Sequence, residues 1–514
     1  VSGDEKEIEY RFGAELEFGT AGMRGIIGYG TNMMNVYTVR RATQRLSEYI
    51  KSPGAAAMKR GVVISYDTRR KSDEFARAAA GVLAANGITA FLFGDVHPVP
   101  MLSYAVRRLG TAAGIMITAS HNPKEYNGYK VYGEDGAQMS PEATDIVVGY
   151  IEKISDYFSV KEEGKSPLVK KVPGRVDKSY YKKLARLTLS PEAVKKAGKT
   201  LKLVYTPVHG SGYVPVTTIL KKLKINVTVV PEQVKKDTEF STVEVPNPEF
   251  KETLSMGIAL AQKIDADVVF GTDPDSDRLG VALKDDKGEF VALSGNQVGI
   301  LLLDYILTRL KEDGKLPANG VVVKSFVTTG MAKAICDDFG VELLDVPVGF
   351  KFIGEKIKEC EETGSHTYIF GFEESYGYLR GTEGSRDKDA VVASMLCAEM
   401  VCYYTYKKQS VYGRLMDIYA RYGYVLDRNI SIKYSGLDAM KEMNAVVDSL
   451  KTKKAEKFDI YNVVAMRDYS ASVRRLADGS KATLDIPKTN AGYYELENGS
   501  FICVRPSGTE TKLK

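Results

Sequence analysis

The 514-residue sequence has no tryptophan, four histidines and five cysteines. The cysteines stand at 336, 360, 397, 402 and 503, with no C-x-x-C pair and no histidine at metal-ligand spacing. That excludes a disulfide-stapled framework and a Cys/His metal site, and reads as reduced thiols in a cytoplasmic protein. Long hydrophobic runs are missing too. The longest, 298–307, is interrupted by Asp304 and falls short of the roughly 18 residues that cross a bilayer. No basic-then-apolar leader opens the chain. It begins at Val1 rather than Met and stops at Lys514 just past a loop motif, which reads as part of a longer natural chain. Charge of one sign is also lacking, because 71 basic and 66 acidic residues leave only +5. Neither a nucleic-acid nor a membrane partner is expected, although a local Arg/Lys cluster can still favour an anionic substrate. The missing tryptophan beside 31 tyrosines excludes nothing.

Composition is otherwise that of a soluble globular protein, and the length calls for about three to five domains. The chain shows a repeated alternation of strand and helix. A strand at 62–65, a polar loop at 66–71, an alanine-rich helix at 72–86 closed by Gly87 and a strand at 88–93 make one β-α-β unit. A second runs as strand 203–205, loop 206–213, helix 214–223 and strand 225–230. A third runs as strand 321–323, loop 324–330, helix 331–339 and strand 341–345. Three such units predict three similar α/β domains in tandem. The segment 430–514, with shorter strands, a helix at 439–450 and hairpin-like alternation to Val504, predicts a smaller C-terminal α+β domain. The boundaries read 1–199, 200–293, 294–420 and 421–514, with charged stretches at 161–171 and 311–315 as connectors.

Reactive residue types cluster at strand exits. Thr118-Ala119-Ser120-His121-Asn122-Pro123 follows an apolar run at 112–117, and Pro123 pushes Asn122 out of helical conformation, so Ser120 sits on a tight loop. Asp273-Pro274-Asp275-Ser276-Asp277-Arg278 follows the strand 266–270. Its three alternating carboxylates can converge on one hard cation of the Mg²⁺ type, and would repel each other without a counter-ion. An EF-hand is excluded, since its sixth and twelfth positions hold Arg278 and Lys284 instead of Gly and Glu. A phosphorylated Ser120 could complete the shell of such an ion. A Ser-His-Asp triad fits less well, because His121 adjoins Ser120 and neighbours in an extended loop tend to point apart. Gly371-Phe372-Glu373-Glu374-Ser375-Tyr376-Gly377, after the strand 367–370, offers carboxylates and a hydroxyl for vicinal sugar hydroxyls. Ser385-Arg386-Asp387-Lys388-Asp389 brings a cation close downstream. Arg505-Pro506-Ser507-Gly508-Thr509-Glu510 combines a guanidinium, hydroxyls and flexible backbone donors suited to a phosphate dianion. Phe18-Gly19-Thr20-Ala21-Gly22-Met23-Arg24-Gly25 reads as a loop whose backbone can approach a ligand closely.

Taken together and in order, these motifs resemble those of the α-D-phosphohexomutases, the phosphoglucomutase and phosphomannomutase superfamily, over nearly the whole chain. The 18–25 stretch and Asn127-Gly128-Tyr129-Lys130-Val131-Tyr132 look most like the phosphoglucomutase-2 and phosphopentomutase branch. The resemblance implies an α/β fold with mixed sheets and four domains around a central cleft. It implies Ser120 as the phosphoserine and, with Asp273, Asp275 and Asp277, as a Mg²⁺ ligand. Glu373 and Ser375 would bind sugar hydroxyls, and Arg505, Ser507, Gly508 and Thr509 the non-reacting phosphate. Arg24, Arg278 and Lys130 would surround the transferring phosphoryl group, with proton transfer open among His121, Lys130 and Lys388. The expected activity interconverts glucose 1-phosphate and glucose 6-phosphate through a sugar 1,6-bisphosphate. The alternatives are a phosphopentomutase or phosphomannomutase of the same family, a phosphosugar phosphatase, and a sugar-phosphate binding protein without catalysis. One departure stands out: related enzymes often carry Thr where Val348 stands in Pro347-Val348-Gly349-Phe350-Lys351, so a hydroxyl contact there is lost while a backbone contact survives, which bears on fine substrate preference and not on the chemistry.

Overall fold

Each β-α-β repeat continues into a third parallel strand and then doubles back. In the first, Val62–Tyr66 lies between Ala90–Leu92 and Ala113–Ile117, both parallel to it, and Tyr126–Tyr132 returns antiparallel beside Ala113–Ile117. The second places Leu203–Thr206 between Val227–Val229 and Val268–Thr272, with Leu279–Lys284 returning. The third places Gly320–Ser325 between Glu342–Val346 and Thr367–Glu373, with Gly377–Arg380 returning. The sheets are mixed for a physical reason. A parallel neighbour needs a crossover helix, such as Ser72–Ala85, Tyr213–Lys222 or Met331–Phe339, whereas the short last connection allows only an antiparallel return. The architecture comes from a computed structural model that describes residues 3–19, 22–149, 156–434, 438–453, 455–507 and 512–514.

The inner strands are buried on both faces and read as unbroken apolar runs, Val62-Val63-Ile64 and Val268-Val269-Phe270 among them. The three repeats are not separate beads. One continuous core joins Leu102 and Tyr180 to Leu203 and Phe270, and these to Val321, Phe370 and Leu396. At its centre runs the helix Ala390–Tyr406, buried on every side as a helix apolar all round must be. Asp389 caps its start, accepting the N–H groups of Val391 and Val392 at 3.0 and 2.9 Å. The neighbouring Lys388 is thereby held at a fixed point. The apolar run 298–307 lies within the buried helix Gly295–Glu312, and no helix among the described residues is long and apolar enough to cross a membrane.

The C-terminal segment forms an antiparallel sheet from Tyr461–Asp468, Val473–Leu476, Lys481–Thr483, Gly492–Leu496 and Phe501–Val504, covered by the helix Ala439–Thr452. It meets the third repeat through a separate apolar cluster, where Phe326 stacks on Tyr469 at 4.1 Å between ring centroids.

Three expectations need correction. Residues 22–26 of the glycine-rich opening form an edge strand, Gly22–Ile26, paired with Tyr126–Tyr132. Gly22, at φ +143°, is required there, because an added Cβ would lie 1.9 Å from the Tyr129 carbonyl oxygen. The stretch 161–171 does not simply connect, since Val169–Lys171 extends the first sheet beside Ala90–Leu92. The stretch 311–315 lies inside the third repeat, between Gly295–Glu312 and Gly320–Ser325.

Glu399, buried in the central helix, accepts the N–H groups of Leu189 and Ser190 and so ties the chain between the first two repeats to the third. Burial pushes its carboxyl up to about 7, against the pull of those two donors. An acid that holds its proton more tightly when folded contributes less stability as pH rises, here from the unfolded value of about 4.3 to about 7. Glu399→Gln keeps an acceptor for both N–H groups and removes this loss. The melting temperature of E399Q, measured by calorimetry across that window, is expected to fall less with pH than the parent's; parallel curves would contradict the assignment. Gly22→Ala should cost about 2 kcal/mol or more in chemical denaturation, because strain at positive φ adds to the clash.

Candidate active site

The loop that links the third and fourth strands occupies the same place in every repeat, at the carboxyl end of a parallel strand where α/β sheets present their chemistry. Each of these loops holds one non-glycine residue in the left-handed region: Ser120 at φ 52°, Ser276 at 50° and Tyr376 at 69°. Such residues cost of order 1–3 kcal/mol each and persist where the surroundings overdetermine them.

In the first loop Ser120 is 3% exposed, and its hydroxyl donates to Asp273 Oδ2 at 2.8 Å. The expectation that Ser120 and His121 point apart fails. His121 Nδ1 lies 3.2 Å from Ser120 Oγ, because the left-handed backbone at Ser120 turns both side chains to one side. No hydrolytic triad results, as the carboxylate of Asp273 meets the serine and not the histidine. Burial, reinforced by Arg278, Arg24, Lys514 and Lys130, holds the imidazole well below the usual histidine range, so it is neutral at pH 7.

The second loop carries Asp273, Asp275 and Asp277, each no more than 1% exposed, with ligand oxygens all within 4.8 Å of one another. Asp273 Oδ1 accepts the N–H groups of Asp277 and Arg278 at 3.1 and 3.0 Å, which closes the turn. Asp275 Oδ1 and Asp277 Oδ1 are buried with no hydrogen-bond partner. The mutual repulsion is met in part by two lysines from other repeats. Lys130, on the strand Tyr126–Tyr132, lies 2.9 Å from Asp275 Oδ2 and 3.8 Å from Asp277 Oδ2; Lys388 lies 3.3 Å from Asp277 Oδ2. Burial and then Asp275 and Asp277 push the Asp273 carboxyl well above the ordinary range. Burial also acts on Asp275, but Lys130 overrides it and holds that carboxyl below the ordinary range. For Lys388, burial is outweighed by Asp277, Asp387 and Glu373, so its ammonium stays charged.

The third loop splits the acidic pair that the sequence presents together. Glu373 accepts the Gly349 N–H at 2.8 Å and its carboxyl is pushed up by burial, with Lys388 pulling back. Glu374 turns away toward Ser325 Oγ at 3.1 Å, Thr328 Oγ1 at 3.2 Å and Arg505 Nη2 at 3.8 Å. Only Glu373 is therefore on the side of Lys388 and the carboxylates. Ser375 is half-buried on the same turn.

Arg24 Nη1 donates to Asn122 Oδ1 at 2.7 Å, and Arg278 Nη1 lies 3.6 Å from Glu249, so both guanidinium groups border the Ser120 and Asp273 loops. Arg505 follows the strand Phe501–Val504, and the Ser507 N–H donates to Lys512 O at 2.8 Å. Gly508 and Thr509 lie outside the described residues. Glu249 was not singled out from sequence, and Glu374 and Asp387 stood in motifs that gave no sign of their roles as the partner of Arg505 and the acceptor of Tyr132 and Gln138. Nothing in their local spacing marks those partners. Val348, the departure from the common Thr, packs against the cluster of Phe326, Tyr469 and Tyr493, where an apolar side chain serves.

Family models described as phosphoglucomutase/phosphomannomutase alpha/beta/alpha domains I, II and III match residues 15–158, 178–288 and 294–422. A Staphylococcus haemolyticus phosphoglucomutase is 34% identical over 513 residues, covering 98% of this chain and 90% of its own. A phosphoglucomutase from Staphylococcus aureus strain RF122 is 36% identical over 515 residues, covering 99% and 90%. The open form of parafusin, a phosphoglucomutase from Paramecium, has the same fold with a TM-score of 0.67 at 17% identity, over 97% of this chain and 89% of that one. With its three matched domains and relatives alike over nearly their full length, this chain belongs to the phosphoglucomutase/phosphomannomutase family of isomerases.

Proposed function

We propose that the chain interconverts glucose 1-phosphate and glucose 6-phosphate, with Ser120 as the residue that carries the phosphoryl group. The observation that carries this reading is the Ser120 hydroxyl, buried and 2.8 Å from Asp273 within a pocket of three carboxylates. The relatives named phosphoglucomutase favour glucose over pentose or mannose phosphates.

The donor set fits Mg²⁺, being made of hard carboxylate oxygens, two of them without a partner. Asp273, Asp275 and Asp277 would hold the ion, which when bound supplies positive charge against the transferring phosphoryl group. Phosphoryl transfer needs positioning and charge neutralisation above all, and the chain's own cations provide both. In the first step the bond between Ser120 Oγ and phosphorus breaks as a sugar hydroxyl oxygen forms the new one, and the proton that hydroxyl loses ends on Ser120 Oγ, giving a bisphosphate. After the sugar turns over, Ser120 Oγ bonds to the other phosphorus as that phosphate's bond to the sugar oxygen breaks, and the Ser120 proton passes by way of His121, neutral and 3.2 Å away, to the leaving sugar oxygen. Lys130 and Lys388 place their charges beside the carboxylates, and both stay candidates for proton transfer beside His121. Glu373 and Ser375 face the sugar hydroxyls. Arg505, Ser507, Gly508 and Thr509 hold the phosphate that is not reacting, and the two ends exchange places when the sugar turns.

Ser120→Ala should lower turnover by at least about 10⁴-fold and take up no label from ³²P-labelled glucose 1,6-bisphosphate. Substantial mutase activity in S120A would rule out the phosphoserine. Asp277→Asn should weaken the rise in melting temperature produced by MgCl₂, a reading independent of activity; an unchanged rise would place the ion elsewhere. Ratios of kcat/KM for glucose 1-phosphate and ribose 1-phosphate should favour the hexose, and a pentose preference would overturn the choice of substrate.

A further inference from the structure

In every repeat, the loop leaving the first strand braces the loop that bears the chemistry. In the second, both the N–H and the hydroxyl of Ser211 donate to the Pro274 carbonyl at 2.8 Å. In the third, Thr328 Oγ1 accepts the Glu374 N–H and donates to its carboxylate, each at 3.2 Å. In the first repeat the brace is a charged pair, Asp67 and Arg69, whose side chains are entirely buried and 3.4 Å apart.

Its contacts converge on the backbone of Ser120. The Ser120 N–H donates to Thr118 Oγ1 at 2.7 Å, and the Thr118 hydroxyl donates onward to Asp67 Oδ2 at 2.6 Å. The Ser120 carbonyl accepts from Arg69 Nη2 at 2.5 Å. The same guanidinium also donates to the carbonyls of Asn122, Pro123 and Tyr126, the last two at 2.8 and 3.2 Å. Asp67 is held in turn by Ser72 Oγ at 2.7 Å and the Arg69 N–H at 2.9 Å. Across the boundary with the second repeat, the Phe240 ring covers the Arg69 guanidinium at 5.1 Å, and Lys124 meets Glu239 at 3.2 Å.

We propose that Asp67, Arg69 and Thr118 are positioning residues that lock Ser120 in its left-handed conformation for phosphoryl transfer. Burying an ion pair is costly, and an apolar pair is often as stable, so stability alone gives weak reason for one here. What an apolar pair cannot do is donate to one side of Ser120 while accepting, through Thr118, from the other. With φ at 52°, Ser120 would relax toward the extended region if released, and its hydroxyl would swing off Asp273. None of the three residues is assigned a contact with the reacting phosphorus; they act through the main chain of Ser120. A misplacement of about 1 Å in a reacting group costs on the order of 100-fold in rate, so the predicted effect falls on kcat rather than on KM.

The inference rests on Ser120 as the phosphorylated residue, and the test separates the two claims. The full-length chain is assayed with glucose 1-phosphate and glucose 1,6-bisphosphate as Thr118→Val, Thr118→Ser, Arg69→Lys and Ser120→Ala. T118V keeps the branched shape and removes only the hydroxyl. Its kcat is expected to fall at least about ten-fold with KM within two-fold of the parent, and the rate of ³²P incorporation into Ser120 to fall in step. T118S should recover most of that loss, and R69K, which loses the fork but keeps the charge, should show the same kcat-only defect. If R69K does not fold, the two Thr118 variants decide. A T118V enzyme with parental kcat, a loss that T118S does not restore, or a defect confined to KM overturns the positioning role while an inactive S120A leaves the phosphoserine intact. An active S120A overturns both.

Discussion

Three carboxylates buried within 4.8 Å of one another are the constraint on which the rest of the molecule depends. Water screens such charges poorly at that depth, so cations must be brought in from elsewhere in the chain. Lys130 comes from the first repeat and Lys388 from the third, and each reaches a carboxylate of the second at 3.3 Å or closer. Backbone contacts follow the same lines. The Val99 N–H donates to the Asp275 carbonyl, the Ala390 N–H to the Ser276 carbonyl, and the Leu279 N–H to the Tyr376 carbonyl. The acidic turn is thus the point where three sheets meet, and the site owes its geometry to the core they share.

One topology serves three chemistries. Each repeat ends in the same antiparallel return, so each offers one loop at the carboxyl end of a parallel strand. The scaffold sets where a functional side chain stands, and the loop sequence sets what it does. A hydroxyl with a neutral imidazole, a set of three converging carboxylates and a single inward glutamate fill three equivalent positions. The left-handed residue in each loop shows that these turns are held rather than relaxed, and the first-strand loops supply the holding contacts.

The C-terminal segment joins the assembly differently. Its aromatic cluster with Phe326 is separate from the continuous core, and a polar link is made by the pair Arg505 and Glu374 at 3.8 Å. A guanidinium whose carboxylate partner is that distant retains capacity for a stronger anion such as a phosphate dianion.

Much was already legible along the chain. Short apolar runs and helical segments punctuated by glycine placed the three β-α-β units, because those signals arise from local backbone preference and burial. The acidic turn was also visible, since Asp273, Asp275 and Asp277 are close in sequence and their repulsion is a local fact. The tertiary structure alone decided the rest. It set His121 beside Ser120, turned Glu374 away from Glu373, and drew Lys388 onto Asp277. It also placed the polar loop at 66–71, an ordinary turn by composition, under the backbone of Ser120. These outcomes depend on φ values held by contacts between residues roughly 50 or more positions apart. No local pattern encodes them, because only packing brings such partners within hydrogen-bonding distance.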